Sequence, residues 1–532
     1  MHTFTRLTVF CLLAPLAVTT HAAAEPEGAS GLTAAFDDNG LHSLQFAGEE
    51  FVQDGAFHVS HAVMRRWDGG TAAADLKAGR RAFDPEKRRL QISYPWGEVG
   101  CTYNPEADRL RLTIDLTNQS DSVLTEFTAE IMQTRFPQPP KGWQPHYPQR
   151  NFNLGSPTTL FAACEHTTVA ACNEDVGRPL QFGWAGRESL SQRPLIVATV
   201  SDWMGEMLNP MLSRPLYPGQ SDRFELSLRF APAGAPDEQL AGDLWKRFAE
   251  AHPYRLKWDD RRPIGALFLS SSGLGAEKNP RGWLNEKAAD FVSEAGRQAF
   301  RERVLAYAQQ SVKVLQGMDC QGMITWDIEG QEYPHATSYL GDPRSLPPEM
   351  EPVADAYFKT FTDAGLRVGI CIRPQLPVRT AYGDGVRQLE AADAEANLDA
   401  KIEYGKKRWG CTLFYIDSNG DPNVPMPAEW FCRLAAKHPD CLLMPEHENP
   451  QYYTGTAPYR CYANLKQLGT PDYVRRLYPD AFCALYIGHG DPEPVKAQLI
   501  EDVKRGDILV IHGWYSADNH KVVRWIYEQA GK

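Results

Sequence analysis

The feature that most constrains the fold is a change in hydrophobic periodicity near residue 260 of this 532-residue chain. Before that point apolar residues alternate with polar ones, as in RLRLTIDLTN at 109–118 and RFELSLRF at 223–230. Alternation with period two, interrupted by Asn, Asp, Ser and Gly turns, is typical of antiparallel strands that bury one face. We therefore predict an N-terminal antiparallel β-sandwich.

After residue 263 the pattern becomes one of short apolar runs separated by helical stretches. Eight such runs lie at 264–272, 322–328, 366–374, 412–417, 441–447, 461–465, 482–488 and 508–514. Between the first two, FRERVLAYAQQSVKVL at 300–315 carries apolar residues at helical spacing. This size and strand count predict a (β/α)8 barrel. A doubly wound open sheet is the alternative, although no Gly-rich phosphate loop follows the first run.

These patterns divide the chain into four segments. Residues 1–24 combine a single charge, Arg6, with an apolar run and three small residues at 22–24, which is typical of a cleavable signal peptide. We predict a β-sandwich domain at 25–236, a linker with a short helix at 237–262 and a catalytic barrel at 263–532. The leader predicts a secreted or periplasmic protein. No later apolar run is long enough to predict membrane insertion.

Composition narrows the partners and the redox chemistry. The formal net charge of −12 gives the chain no electrostatic reason to bind nucleic acid and favours a neutral substrate. Aromatic residues make up 11% of the chain, which suits binding to the flat apolar faces of sugars. Cys164 and Cys172 are the best candidates for a disulfide. Cys371 and Cys483 lie in apolar runs and are predicted to be buried thiols.

Polar clusters begin where six of the eight apolar runs end. They start at Asp327, Arg373, Asp417, Glu446, His489 and His512. Catalytic side chains of a (β/α)8 barrel lie at the carboxyl ends of its strands. Core packing alone does not place carboxylates there repeatedly, so this end of the barrel is the predicted active site.

Asp417 and Glu446 are the most informative pair, because they end consecutive runs and therefore adjacent strands. Hydrolysis of a glycosidic bond uses two carboxyl groups, one ionised and one protonated, on either side of the bond. We predict that Asp417 is the nucleophile and Glu446 the acid/base of a glycosidase. Glu448 is the alternative acid/base, since in an extended segment it would point the same way as Glu446.

At these two positions the second half of the chain resembles retaining glycoside hydrolases with a TIM-type barrel. In the α-amylase superfamily and the endo-α-N-acetylgalactosaminidase group, an Asp closing the fourth strand is the nucleophile and a Glu closing the fifth is the acid/base. YID ending at Asp417 and LLMPE ending at Glu446 match those positions, although Tyr415 stands where amylases carry an arginine. The resemblance implies an α-linked oligo- or polysaccharide substrate.

A sandwich followed by a barrel with an Asp on the fourth strand also resembles the α-galactosidase clan. In that clan the acid comes from a later strand. The corresponding residue here would be Asp472 or Asp491.

Other residues at the strand ends are candidate substrate-binding groups. Asp327 and Glu329 share a face and would hydrogen-bond sugar hydroxyls; the alternative is a salt bridge to Arg373. The long polar and aromatic segment that follows them is predicted to form a substrate wall. The remaining candidates are rings and hydrogen-bonding groups at the same end of the barrel: Trp326, Tyr333, His335, His447, His489, Asp491, His512 and Trp514.

We predict neither a metal nor a cofactor. The segment DSNGDPN at 417–423 spaces its oxygen ligands like a calcium loop, but lacks the Gly at the sixth position and the Glu at the twelfth. Two other functions stay open. One is a metal-dependent hydrolase built on His447, His489, Asp491 and His512, and the other is a carbohydrate-binding protein with an inactive barrel.

Overall fold

The computed structural model describes sixteen ranges of the chain: 31–54, 57–135, 159–164, 166–178, 180–184, 192–198, 215–270, 275–330, 340–379, 386–389, 393–421, 424–448, 450–461, 469–488, 492–512 and 519–532. The predicted signal peptide lies outside them, as do the candidates Tyr333, His335, His489, Asp491 and Trp514. Among the described residues, no helix combines the length and the apolar character needed to cross a bilayer.

The described part of the first half is built from short strands. In chain order they are β1 (Leu32–Asp37), β2 (Gly40–Phe46), β3 (Glu49–Glu50), β4 (Val52–Asp54), β5 (His58–Arg65), β6 (Thr71–Ala73), β7 (Arg80–Asp84), β8 (Arg89–Tyr94), β9 (Gly97–Pro105), β10 (Arg109–Asn118), β11 (Val123–Arg135), β12 (Thr159–Ala163), β13 (Thr167–Asn173), β14 (Gln181–Trp184), β15 (Gln192–Ala198) and β16 (Ser221–Pro232). They form antiparallel sheets of order β1-β2-β3, β12-β13-β16-β10-β9-β8-β7 and β14-β15-β11-β5-β6, with β4 paired to β11.

These sheets share one apolar core. β10 buries every second residue along its whole length, as its alternating sequence predicts. Its buried side chains join a single cluster that also contains residues of β5, β11 and β16. The rings of Phe127 on β11 and Phe224 on β16 lie 6.4 Å apart, so two of the sheets are in contact. The β-rich first half is therefore observed, and the sandwich arrangement itself stays a prediction.

A helix connects the two halves of the chain. α1 (Asp237–Ala251) lies within the predicted linker and begins after Pro236. It buries Leu244 and Phe248, among others, and its Asp243 pairs with the buried Arg229 of β16. The helix is thus fixed against β13 and β16 by both apolar and charged contacts.

The second half contains eight parallel strands of one sheet: β17 (Ile264–Leu267), β18 (Gly322–Thr325), β19 (Arg367–Ile372), β22 (Leu413–Ile416), β25 (Leu442–Pro445), β26 (Tyr459–Cys461), β27 (Ala484–Ile487) and β28 (Ile508–His512). The helices around them are α2 (Glu294–Gly317), α3 (Glu351–Asp363), α4 (Ala394–Trp409), α5 (Ala428–Lys437), α6 (Asp472–Leu477), α7 (Lys496–Lys504) and α8 (Asn519–Gln529). Two small hairpins, β20 (Leu376–Arg379) with β21 (Val386–Leu389) and β23 (Gly420–Asp421) with β24 (Val424–Pro425), and the 3-10 turns Pro450–Thr454 and Glu493–Val495 lie in the connections.

The parallel sheet is a nearly closed (β/α)8 barrel. Its order, β25-β22-β19-β18-β17-β28-β27-β26, follows the chain around a ring, so the doubly wound alternative is wrong. Between the two end strands, the backbone N–H of Ala457 donates to the carbonyl of Leu443 at 3.0 Å. The sixth strand, Tyr459–Cys461, begins two residues before the predicted run at 461–465.

Each barrel strand points alternate side chains inward and outward. Ile324, Leu413 and Leu442 belong to the interior cluster. Met323 and Leu443 pack outward against the helices. This alternation decides which residues at a strand end can face the mouth of the barrel.

The predicted disulfide is wrong. Cys164 and Cys172 are both free, as are the other described cysteines. They lie on one hairpin, but Cys164 bonds to Thr167 at the turn, whereas Cys172 pairs with Thr159 far along the strand. At ~3.3 Å per residue, the five positions from 167 to 172 separate the thiols by roughly 16 Å, beyond the ~7 Å Cα limit of a disulfide. Cys371 and Cys483 are buried thiols, as predicted.

Candidate active site

Arg373, Asp417 and Glu446 lie at the carboxyl ends of three adjacent strands, β19, β22 and β25. Each stands two positions after an inward-pointing residue: Cys371, Tyr415 and Met444 belong to the interior cluster. The strand alternation therefore turns all three polar side chains toward the barrel axis. The sequence-based expectation that Asp417 and Glu446 lie side by side holds in this geometry.

Asp417 is enclosed by hydrogen-bond donors. The Nε of Arg373 donates to its Oδ2 at 2.8 Å, and Nη2 of the same guanidinium donates to that oxygen as well. The hydroxyl of Ser418 donates to Oδ1 at 3.1 Å. Only 7% of the Asp417 side chain is exposed. The carboxylate is thus fixed in orientation, with a permanent positive charge on one side.

Glu446 faces Asp417 from the next strand. Its Oε2 accepts a hydrogen bond at 2.8 Å from the backbone N–H of Ser418, whose φ of 53° is in the left-handed region. Burial, the charge of Asp417 and a hydrogen bond to Asp417 raise the pKa of Glu446 to about 7. Its side chain is 29% exposed, so of the two carboxyl groups it is the more open to solvent. Glu446 is therefore the carboxyl group of the pair that carries a proton up to about neutral pH.

Glu448 has a different environment from Glu446. Its carboxylate pairs with Arg460 of β26 and accepts a hydrogen bond at 2.7 Å from the hydroxyl of Tyr453. The chain bends after β25 instead of staying extended, so the two glutamates do not share an environment. Glu448 links the two end strands of the barrel, β25 and β26.

Asp327 and Glu329 do not form the alternative salt bridge with Arg373, whose carboxylate partner among the described residues is Asp417. Asp327 is fully buried and accepts hydrogen bonds from the backbone N–H groups of Leu269 (2.8 Å) and Ser270 (2.7 Å). It follows the inward-pointing Trp326, so it points the other way and holds the end of β17. Burial raises the pKa of Asp327 to about 6.

Glu329 is the one buried acid of this group that lacks a partner. Among the described residues, neither carboxyl oxygen has a hydrogen-bond partner outside its own residue, and its exposed fraction is 1%. Burial, with a smaller effect from Asp342, raises the pKa of Glu329 to about 8. At neutral pH it is therefore a protonated carboxyl group, able to donate a hydrogen bond.

An aromatic cluster fills the barrel beneath the carboxyl pair. Trp326 packs on Tyr415 with ring centroids 4.1 Å apart and on Phe268 at 5.5 Å. The rings of Tyr459, Tyr486 and His512 continue the cluster, and these three are only half-buried. Trp326 is thus part of the interior packing, whereas the half-buried rings form a surface open to the mouth of the barrel.

The histidine after Glu446 has a backbone role and a side-chain contact. The backbone N–H of His447 donates to Oδ1 of Asn419 at 2.8 Å, which ties the loop after β22 to the loop after β25. Its Nε2 lies 3.5 Å from Oε2 of Glu446. Asn419, in the segment that resembles a calcium loop, is therefore occupied by backbone groups.

Asp472, one of the alternative acids, is not at this end of the barrel. It begins α6 and accepts a hydrogen bond at 2.7 Å from Arg505, which lies just before the start of β28. The other alternative, Asp491, lies outside the described residues. The segment between β26 and Asp472, YANLKQLGTP, contains no carboxylate.

One group among the described residues has the geometry of a metal site: Asp399, Glu403 and His438. It belongs to α4 and the end of α5, on the outer face of the barrel. Lys437 already lies 2.6 Å from Asp399 and neutralises part of its charge. It shares no residue with the metal-dependent alternative, of whose residues His447 and His512 are described.

Three residues that shape the site were not singled out from the sequence: Ser418, Gln375 and Lys401. Ser418 contacts both carboxyl groups, and Gln375 donates to the Ser418 carbonyl at 2.9 Å. Lys401 is fully buried in α4. A detectable signal existed for Lys401, since it lies at the helical spacing of the apolar residues Leu398 and Ile402.

The fold is similar to those of solved glycosidases. The α-N-acetylgalactosaminidase NagBb from Bifidobacterium bifidum, in its GalNAc complex, matches with a TM-score of 0.56 and 11% identity, over 94% of this chain and 92% of that one. The quadruple mutant of NagBb matches with a TM-score of 0.50 and 11% identity, over 95% of this chain and 92% of that one. The GH36 α-galactosidase AgaB from Geobacillus stearothermophilus matches with a TM-score of 0.42 and 12% identity, over 88% of this chain and 74% of that one. Neither family profiles nor curated protein sequences give a match.

Proposed function

We propose that the protein is a secreted glycoside hydrolase that cleaves an α-linked glycosidic bond by a retaining mechanism. The observation that carries the proposal is the placement of Asp417 and Glu446 at adjacent strand ends, where both bond to Ser418. One carboxylate pairs with Arg373, while the pKa of the other is raised to about 7. Two neighbouring carboxyl groups in different protonation states are what glycosidic bond cleavage requires.

The two environments assign the roles. Asp417, oriented by Arg373 and Ser418, attacks the anomeric carbon as that carbon's bond to the leaving oxygen breaks. Glu446 gives its proton to the leaving oxygen. Glu446 then takes a proton from water, whose oxygen bonds to the anomeric carbon as the bond to Asp417 breaks. Each proton and electron pair is thus returned at the end of the cycle.

The separation of the carboxyl groups supports retention of configuration. An inverting enzyme keeps its carboxyl groups roughly 6.5–9.5 Å apart to hold a water molecule between base and sugar. Asp417 and Glu446 end adjacent strands and both bond to Ser418, which favours the shorter separation of about 5–5.5 Å that retaining enzymes use.

The position of the acid distinguishes this proposal from the α-galactosidase-clan alternative, one of whose two candidates, Asp491, lies outside the described residues. No carboxylate follows β26 before Asp472, and Asp472 pairs with Arg505 away from the site. Glu448, the other alternative, pairs with Arg460. Glu446 is thus the described acid in contact with Asp417.

For the sugar, we propose an α-linked N-acetylgalactosamine or galactose residue of an oligo- or polysaccharide. The support is the likeness over nearly the whole chain to the fold of NagBb, whose structure holds GalNAc. The half-buried ring of Tyr459 lies 5.0 Å from that of Tyr415 and 5.4 Å from that of Tyr486, and such a cluster suits the apolar face of a sugar. Export is proposed from the N-terminal leader at 1–24.

Hydrolysis of aryl α-glycosides by the purified full chain tests the proposal. The nitrophenyl α-glycosides of N-acetylgalactosamine, galactose and glucose would be compared, and proton NMR would identify the first-formed anomer. We expect turnover of the first or second substrate with the α-anomer released first. Asp417→Asn and Glu446→Gln should each lower kcat by at least about 1000-fold. Glu429→Gln, at an exposed position of α5, is the matched control and should keep full activity. Full activity of Asp417→Asn, or a first-formed β-anomer, would overturn the mechanism.

A further inference from the structure

A fully buried lysine lies behind the pair of Arg373 and Asp417. Lys401 of α4 has an exposed fraction of 0%. Its Nζ donates to the carbonyl of Arg373 at 2.6 Å and to the carbonyl of Gln375 at 2.8 Å. The nearest described carboxylate, Asp342, lies 3.8 Å away. The ammonium group therefore donates its hydrogen bonds to backbone carbonyl groups at the end of β19, the strand end that carries Arg373.

A second residue of α4 holds the same segment. Nδ2 of Asn397 donates to the carbonyl of Pro374 at 2.8 Å and to that of Gln375 at 3.1 Å. Its Oδ1 accepts a hydrogen bond at 3.0 Å from Arg344, which also pairs with Asp342. Lys401 and Asn397 thus fix three consecutive carbonyl groups after β19.

Residues 373–375 in turn form hydrogen bonds with the first two residues after β22, Asp417 and Ser418. Arg373 donates to the carboxylate of Asp417, and Gln375 donates to the carbonyl of Ser418 at 2.9 Å. Ser418 bonds to Glu446 through its backbone N–H. A displacement of residues 373–375 would therefore move the donors of both carboxyl groups together.

Burying an ammonium group is costly unless its contacts require it. Burial lowers the pKa of Lys401 to about 8, against the effect of Asp342. Leu398 and Ile402, its apolar neighbours on the helix, are buried without this penalty. A lysine at such a position is explained by the two carbonyl groups that it holds, because an apolar side chain would remove one donor from each of them.

We propose that Lys401 is a positioning residue that sets the orientation of Arg373 against Asp417 and thereby the rate of attack on the sugar. This inference rests on the proposed function, since it assigns Asp417 the role of nucleophile. Misplacing a reacting group by about 1 Å can lower a rate about 100-fold.

The test measures attack alone, with 2,4-dinitrophenyl N-acetyl-α-D-galactosaminide in single-turnover experiments with excess enzyme. Dinitrophenolate leaves without a proton, so the titration of Glu446 does not enter. We expect Lys401→Met to slow dinitrophenolate release about 10- to 100-fold with a smaller change in substrate affinity. The control Lys407→Met makes the same change at an exposed position of the same helix and should release at the wild-type rate.

The pH profile separates a positioning role from a structural one. The charged and titratable groups around Lys401 are Asp342, Arg344, Glu329 and Cys371. We expect the wild-type single-turnover rate to fall as pH rises through about 8, because Lys401 then loses its proton. This decline should disappear in Lys401→Met and persist in Glu329→Gln, although burial raises the pKa of Glu329 to about 8 as well.

If Lys401→Met does not fold, Asn397→Ala removes two hydrogen bonds to the same segment without altering a charge, and should also slow release. Wild-type rates and pH profiles in both variants would overturn the positioning role while leaving the proposed function intact. Absence of dinitrophenolate release by the wild-type enzyme would instead contradict the proposed function on this sugar.

Discussion

Four buried or half-buried carboxyl groups follow three of the barrel strands: Asp327 and Glu329 follow β18, Asp417 follows β22 and Glu446 follows β25. Their surroundings give each a different chemistry. Asp327 accepts hydrogen bonds from backbone N–H groups, and Asp417 forms an ion pair with a guanidinium group. Glu329 has no hydrogen-bond partner beyond its own residue in the described structure, and burial beside the charge of Asp417 raises the pKa of Glu446. Residue type alone predicted an acidic site. The assignment of roles required the partners, which depend on loop geometry.

The raised pKa of Glu446 predicts how activity depends on pH. Glu446 must be protonated to assist departure of the nitrophenyl leaving group. The kcat/KM for a nitrophenyl α-glycoside should therefore fall as pH rises through about 7. In Glu446→Gln the decline through about pH 7 should be absent from the residual activity on the same nitrophenyl α-glycoside, because the glutamine has no such proton to lose. Initial rates between pH 5 and 9 check both profiles. An unchanged decline in Glu446→Gln would assign it to another group.

A buried acid away from the site predicts a pH effect on stability. Burial raises the pKa of Asp502 in α7 to about 6, and its Oδ2 has no hydrogen-bond partner among the described residues. Because the folded pKa exceeds the unfolded one, the stabilising proton is fully bound below about pH 4 and is lost as pH rises through about 6. Asp502→Asn should therefore raise Tm by a few degrees at pH 8 and change it little at pH 4.5. Thermal unfolding at the two pH values checks this, and an equal shift at both would contradict it.

At the scale of elements, strand alternation explains both what the sequence predicted and what it missed. Eight runs of apolar residues predicted eight strands, since each strand of a barrel is buried on both sides. The sixth was displaced because its Tyr459 and Arg460 are not aliphatic: the tyrosine lines the interior and Arg460 pairs with Glu448. Asp327 and Glu329 have the same parity in the run, and alternation from Ile324 and Trp326 turns Asp327 outward. Their different surroundings arise from the turn after β18, which the strand pattern does not predict.

A glycine in the loop before α3 is predicted to hold Arg373 in place. Gly341 has φ of 61°, and a Cβ there would lie 2.7 Å from the backbone N of Arg373. Gly341→Ala should push the end of β19 away and lower kcat about 10-fold or more, besides a loss of about 1–3 kcal/mol of stability. Steady-state kinetics and urea unfolding measure the two effects.

Gly365→Ala is the matched control for Gly341→Ala. Gly365 also has a positive φ, 77°, but a Cβ there would have no atom within 4 Å. It should lose about 1 kcal/mol of stability and keep wild-type kcat. Equal losses of kcat in the two variants would show that backbone strain, and not contact with Arg373, is responsible.

At the scale of the whole molecule, α1 is bound to both halves of the chain. On one side the buried Arg229 of β16 pairs with Asp243 of the helix and with Glu174. On the other side Arg476 of α6 lies 3.1 Å from Asp237. The periodicities of the two halves predicted this helix, but not its contacts, because long-range ion pairs leave no local pattern in a sequence. The same holds for the contacts of Lys401, whose helical spacing marked only its burial, and for the incorrect pairing of Cys164 with Cys172.

Arg229→Met is predicted to destabilise the protein without altering its chemistry. It leaves the buried Glu174 with a reduced set of partners, so the free energy of unfolding should fall by about 3–5 kcal/mol. The kcat per folded molecule should stay unchanged. Arg476→Met makes the same substitution at an exposed pair and should cost about 1 kcal/mol or less. Similar losses in both variants would contradict the account.

The central claim is that Asp417 is the nucleophile and Glu446 the acid/base, and azide rescue tests it most directly. Asp417→Gly and Glu446→Gly would each be incubated with sodium azide and 2,4-dinitrophenyl N-acetyl-α-D-galactosaminide, and NMR would give the configuration of the glycosyl azide. Without the nucleophile, azide attacks the α-linked substrate directly, so Asp417→Gly should yield the β-azide. Without the base, azide attacks the glycosyl-enzyme, so Glu446→Gly should yield the α-azide. The reverse pattern, or no azide product from either variant, would contradict the assignment.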